Sequence, residues 1–186
     1  MRTRLGYVRE YAVFAMLGTI MFISKLVMEF LPNIHLVGIL TIVYTLTYRV
    51  KALIPIYVCV ILNGLYFGFS LWWVPYLYIW TILWGVIMLF PKGMSERAKG
   101  IACTIAAFLH GLLYGILYAP AQALMFHLNF EQMIVWIIQG IPFDITHAIG
   151  NLVLSVLIIP LTKLLHRLSV MINIIEADKP KQPLEE

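Results

Sequence analysis

Long apolar runs repeat along this chain, each about the length of a membrane helix and each bounded by a short polar or proline-bearing joint. A bilayer core about 30 Å thick needs about 20 apolar residues in a helix. The pattern predicts six helical segments: 11–30, a short second one at 33–48, then 52–70, 72–90, 100–126 and 130–165. Pro32-Asn33 parts the first two, and Pro91, Lys92 and Gly93 close the fourth with a turn. Asn129 is placed to cap the sixth, with Gln132 three residues later as a variant capping box. The sixth segment is too long for one perpendicular crossing. Pro142 and Pro160 are expected to kink it, and its end, with Lys163, His166 and Arg167, to leave the bilayer.

Composition agrees with that reading. The chain is 62% hydrophobic and 12% charged, against about 45–50% and about 25% for soluble domains. Net charge is +4, but the charges cluster between apolar runs, which marks membrane topology rather than a nucleic-acid surface. If the connections are numbered alternately, every Lys and Arg except Lys25 falls on one side. The positive-inside rule then predicts both termini in the cytoplasm, and five or seven crossings would break the alternation. The expectation is an all-α integral membrane protein of the cell membrane, multi-pass. It would have a six-helix membrane domain over 1–172 and a disordered cytoplasmic tail over 173–186. The basic start MRTRLGYVRE precedes an apolar run too long for a signal peptide, so an uncleaved first helix is expected. Cys59 and Cys103 lie inside apolar runs and read as packing residues.

The chain carries no G-x-x-x-x-G-K-[ST], no H-E-x-x-H and no G-x-S-x-G. What chemistry remains sits inside the apolar runs, where ionisable groups usually face the protein interior or a water-filled cavity. In GIPFDITHAIGN, Asp144 and Asn151 share one helical stripe, and His147 flanks it within about 60° at 100° per residue. Two readings stand: a polar network that locks helices together, or contact with a ligand. His110, Tyr114 and Tyr118 follow at i, i+4, i+8 on one face, beside Gly111 and Gly115, a small-residue stripe suited to close packing. Asn63 adds a polar group to the third segment. Trp72, Trp73, Tyr76 and Tyr78 open the fourth, as an aromatic membrane belt or as a ligand wall. Glu29, Asn33 and His35 fall in the outer loop MEFLPNIH. These groups concentrate in the outer half, which points to a pocket open to the outside.

The stretches FLPNIHLVGILTIVYTLTYR, GFSLWWVPYLYIW, HGLLYGILYAPAQAL and GIPFDITHAIGNLVLSVLIIPL, in that order, resemble the substrate-binding S component of an energy-coupling factor (ECF) transporter. The resemblance covers nearly the whole chain. It implies high-affinity capture of a vitamin-like micronutrient from outside, without catalytic turnover. Import would be driven by a separate transmembrane coupling protein and two ATPase subunits. The chain would need no cofactor and no metal of its own, with ATP used by the partners only. By that analogy Trp73, Tyr76, His110, Tyr114, Asp144, His147 and Asn151, with Asn63, are the expected substrate contacts, and Glu29, Asn33 and His35 form an outer gate. The family docks its coupling protein on small residues of the first helix. Here Ala12, Ala15, Gly18 and Thr19 would serve, in a degenerate form of that motif. A start in MRT argues against nickel or cobalt as cargo. Cobalamin, pyridoxine, pantothenate and a modified nucleobase stay open. The rival readings are an intramembrane enzyme using Asp144 and His147 as acid and base, and a membrane scaffold.

Overall fold

A computed structural model describes residues 4–175, and every element in it is helical. The helices are α1 (Arg4–Val27), α2 (Val37–Tyr48), α3 (Leu53–Phe67), α4 (Tyr76–Met88), α5 (Glu96–Leu112), α6 (Tyr114–Phe126), α7 (Phe130–Leu154) and α8 (Ile158–Met171). Short 3-10 turns at Arg49–Ala52, Leu71–Trp73 and Ser155–Leu157 join some of them. Five helical runs are long and apolar enough to cross a membrane: Arg4–Val27, Val37–Phe67, Leu71–Met88, Glu96–Phe126 and Phe130–Met171. The outside of the bundle is apolar, with Leu65, Leu124, Val153 and Val156 all exposed. A water-soluble domain rarely tolerates so much exposed apolar surface, and lipid requires it.

The second of these runs reverses within itself. Arg49 takes φ 55° and ψ −121°, and its place is held from two sides: its guanidinium donates to the Met88 carbonyl (2.8 Å), and Trp84 Nε1 donates to its own carbonyl (3.0 Å). α1 and α3 run parallel. Lys51 pairs with Glu10 at one end (2.5 Å), and Lys25 bonds Asn63 at the other (2.6 Å). Between these points Gly18 meets α3 so closely that a Cβ there would lie 2.6 Å from Val58 and 2.7 Å from the Pro55 carbonyl. α2 runs the opposite way, with Tyr44 donating to the Leu17 carbonyl and Tyr48 packed edge-on to Phe14.

α2 is the centre of the molecule. All of its residues except Leu46 and Thr47 are buried. At 12 residues it rises only about 18 Å, too little to cross a bilayer unaided, but the surrounding helices enclose it. Thr41 and Thr45 satisfy their hydroxyls on the carbonyls one turn back (2.8 and 2.6 Å). Ile39, Ile42, Tyr44, Phe14, Met21, Ile56, Trp80, Leu83 and Ile158 fill the core around it.

The other segments depart from the expected boundaries in instructive ways. α1 begins at Arg4, ahead of the expected start at Tyr11. The capping box at Asn129 and Gln132 forms, with both bonds at 2.9 Å. α7 continues as helix through Pro142, the first expected kink, and the break falls at Ser155–Leu157, just ahead of Pro160, the second. Pro160 accounts for that: it has no N–H for the Val156 carbonyl, and its ring crowds that carbonyl. The fifth segment, expected to be one helix, is interrupted at Leu113 (φ −95°, ψ 7°). Of the expected tail, residues 176–186 lie outside the described residues. Asn173 to Ile175 lie within them, and Ile174 is buried, its N–H donating to the Ser169 carbonyl (2.8 Å).

Candidate functional site

The interruption at Leu113 belongs to the site. α5–α6 and α7 pack antiparallel, and Gly111 lets them approach until a Cβ there would lie 2.8 Å from the Ala148 nitrogen. One turn on, the Gly115 N–H donates to both Asp144 carboxylate oxygens (3.0 and 3.1 Å). In an unbroken helix that N–H would serve the Gly111 carbonyl. A side chain inserted into the ladder is a recognised cause of a helix break. Asp144 thus caps the start of α6 from a different helix, where the amide dipoles favour a negative charge. A side chain at Gly115 would push the Asp144 carboxylate aside, because a Cβ would sit 2.5 Å from Asp144 Oδ2.

Two adjoining cavities, of about 460 and 600 Å³, open at the end of the bundle where α1, α3 and α6 finish and α2, α4 and α7 begin. They share Pro32, Asn33, Trp72, Tyr114 and His147. The loop between α1 and α2 dips into this end. Its Ile34 packs on Gly150, and its His35 meets His147 (ring centroids 5.0 Å) and Trp80 (5.9 Å). An aromatic lane runs inward from Phe67 through Trp72, Tyr76 and Trp80, each ring edge-on to the next. Tyr114 closes it, 4.9 Å from the His147 ring. Trp136 stacks on Tyr118 across the second cavity (5.8 Å).

Among the expected substrate contacts, Tyr76, Tyr114, Asp144 and His147 line these cavities. Glu29, Asn33 and His35, the expected outer gate, line the first. The remaining expected contacts lie elsewhere. Trp73 turns toward α3 and donates Nε1 to the Val60 carbonyl (2.7 Å), so its neighbour Trp72 faces the cavity instead. His110 lies buried behind Trp80 and Tyr114, with Nε2 at 3.3 Å from the Ile79 carbonyl. Asn151 ties α7 to α5 by donating to the Ala107 carbonyl (2.9 Å). Asn63 is buried and holds Lys25. Of the expected docking residues, Ala12, Ala15 and Thr19 are exposed on α1, whereas Gly18 is buried against α3 and faces no outside partner. The three histidine rings His35, His147 and His110 lie 5.0 and 6.4 Å apart in succession. Among the described residues no group of three His, Cys, Asp or Glu side chains is arranged to hold a metal ion.

The sequence reading missed Lys25, Phe67 and Trp136 as cavity residues. Lys25 did carry a signal, as the one basic residue off the charged side. Nothing singled out Phe67 or Trp136 among so many apolar neighbours.

Burial lowers the His35 pKa to about 4, with the nearby Lys25 charge adding to the effect. The imidazole Nε2 of His147, Nδ1 of His35 and Nδ1 of His110 are buried without a hydrogen-bond partner. Such groups are uncommon in folded proteins; His147 and His35 line the first cavity, whereas His110 lines neither.

These features define an all-helical protein with the apolar exterior of a membrane protein and an aromatic-walled cavity at one end. No protein-family model matches the chain, and neither the curated proteins nor the solved structures include a match to it.

Proposed function

We propose that the protein captures a vitamin-like micronutrient from outside the cell and hands it to a separate transmembrane coupling protein and two ATPases for import. In this reading the chain crosses the cell membrane six times, with α2 and α3 as separate crossings and both termini in the cytoplasm. The observation that carries the proposal is the position of the paired cavities. They lie at the end of the bundle opposite the Lys and Arg clusters, which the positive-inside rule makes the outer end. A concave, aromatic-lined space with a few convergent polar groups is the usual form of a small-molecule site. The order and spacing of the four stretches quoted above, similar to those of an ECF S component, support the division of labour with ATPase partners.

One observation favours the scaffold reading for part of the site. Asp144 and Asn151 each bond backbone on the α5–α6 arm, so both hold helices together whatever else they do. The enzyme reading draws less support. Acid–base chemistry needs a group within hydrogen-bond reach of its substrate, and the Asp144 carboxylate is already engaged by Gly115.

The test is to purify the full chain from membranes, release its bound small molecules and identify them by mass spectrometry, then assay ATP hydrolysis by the chain alone. A single enriched micronutrient and no ATP hydrolysis are expected. Chemical conversion of an added compound would establish the enzyme instead, and a protein that carries nothing and restores no uptake would establish the scaffold.

A further inference from the structure

Among the described residues Lys25 is the one Lys or Arg set apart from the charged end of the bundle, and it lines the first cavity. Its ammonium lies 5.0, 5.1 and 5.9 Å from the ring centres of Tyr76, Phe67 and Trp72. It donates to Asn63 Oδ1 (2.6 Å) and Tyr76 Oη (3.4 Å). All of these partners are neutral. Cation–π contacts stabilise a charge without neutralising it. Lys51 and Lys163, by contrast, each hold a carboxylate, Glu10 and Glu96. Among the described residues no carboxylate pairs with Lys25. Glu29, one turn further along, is exposed at the rim, and Asp144 in the adjoining cavity is turned to Gly115. A cation at membrane depth is costly unless something balances it.

A second feature points the same way independently. His147 is 3% exposed, lines both cavities and has an imidazole Nε2 without a partner, and His35 Nδ1 beside it is also unpartnered. These nitrogens call for the polar edge of a bound molecule. Between them and Lys25 the walls are the faces and edges of Phe67, Trp72, Tyr76 and Tyr114, and the space of about 460 Å³ suits a compound of one or two rings. A cationic ligand would meet the ammonium directly, and a saturated polar one would leave the aromatic walls unused.

We propose that the cavity takes a flat aromatic compound bearing one anionic group, carboxylate or phosphate. The anion sits on Lys25, the ring lies among Trp72, Tyr76 and Tyr114, and a polar ring edge meets His147 and His35. This rests on the capture reading and narrows the cargo to a chemical class.

The experiment uses the full chain in nanodiscs and calorimetry with matched probes: nicotinate against nicotinamide, indole-3-acetate against indole-3-acetamide, and 1-naphthyl phosphate against 1-naphthol. The wild type should bind at least one anionic member more tightly than its neutral twin, by roughly tenfold to hundredfold, the range of a charge-assisted hydrogen bond. Lys25→Gln should erase that preference and Lys25→Arg should keep it, with melting temperature checked for both. A carboxylate preference and a phosphate preference both support the proposal and tell the two groups apart. Neutral twins that bind as well as the anions, or a preference that survives in Lys25→Gln, would overturn the anion assignment and leave capture intact. If no probe of either kind binds at millimolar concentration, the aromatic-anion proposal falls, and the capture reading is then decided separately by the molecules that co-purify.

Discussion

Replacing Asp144 by Ala removes the carboxylate that accepts the Gly115 N–H at 3.0 and 3.1 Å. The amide is left at the start of α6, facing α7 with no acceptor of its own. A stranded buried donor costs about 1–3 kcal/mol, and loss of a helix cap costs about 0.5–2 kcal/mol. The two figures describe the same lost bond and do not add. The second cavity adjoins Asp144, so water can reach the freed amide, which favours the lower half of the range, about 1–2 kcal/mol. For a chain of this length that is roughly 2–8 °C in melting temperature. Asp144→Asn keeps an acceptor but loses the charge, so its cost should be near 1 kcal/mol and its shift about half as large. The assay is thermal melting of cargo-free protein in one fixed detergent, followed by tryptophan fluorescence. An Ala variant that melts with the wild type would refute the argument. So would an Asn variant that melts higher than the wild type, since the carboxylate would then be a burden on the fold rather than its cap.

Asn151→Ala should lower the melting temperature by a comparable amount and leave cargo affinity unchanged, because Asn151 bonds Ala107 and lines neither cavity. His147→Ala should do the reverse, weakening binding by several-fold up to about tenfold for a lost neutral hydrogen bond; equal affinities for the two variants would show that the cavity is not the cargo site. Cysteines placed at Arg4 and Lys92 should react with an impermeant maleimide only from the cytoplasmic side, and one at Asn129 only from outside, whereas Lys92 and Asn129 on a common side would defeat the six-crossing topology. His35 is held neutral by burial, with its pKa lowered from 6.5 to about 4. The unfolded chain therefore takes up this proton first, so the contribution of His35 to stability is complete above pH 6.5 and is lost as pH falls toward 4. His35→Phe should flatten that part of the melting-temperature profile, and an unaltered profile would mean that other groups set the acid sensitivity.

The membrane character of the protein and most of its helices were legible in the sequence because they depend on local quantities. A run of about 20 apolar residues declares itself without reference to anything distant, and the Asn129–Gln132 capping box forms from side chains three positions apart. The reversal at Arg49 was also legible, as a basic pair between two apolar runs. The candidate site was half legible. That Asp144, His147 and Asn151 lie on one side of their helix follows from its period, and all three are buried. The period does not say which of them meets a cavity and which meets a neighbouring backbone. That depends on depth and on the partner helix: Asn151, two turns deeper than Asp144, finds the Ala107 carbonyl, and His147 finds open space. The break at Leu113 had no local cause to read, since its agent is the carboxylate of Asp144, 29 positions beyond the Gly115 amide it accepts from. Trp72 and Trp73 are adjacent and chemically alike, and only the 3-10 turn that carries them sends one to the cavity and the other to the Val60 carbonyl. Lys25 stood out in the sequence as an exception to a charge rule. Its aromatic surroundings, from α3, the Leu71–Trp73 turn and α4, exist only once those distant segments have packed against α1.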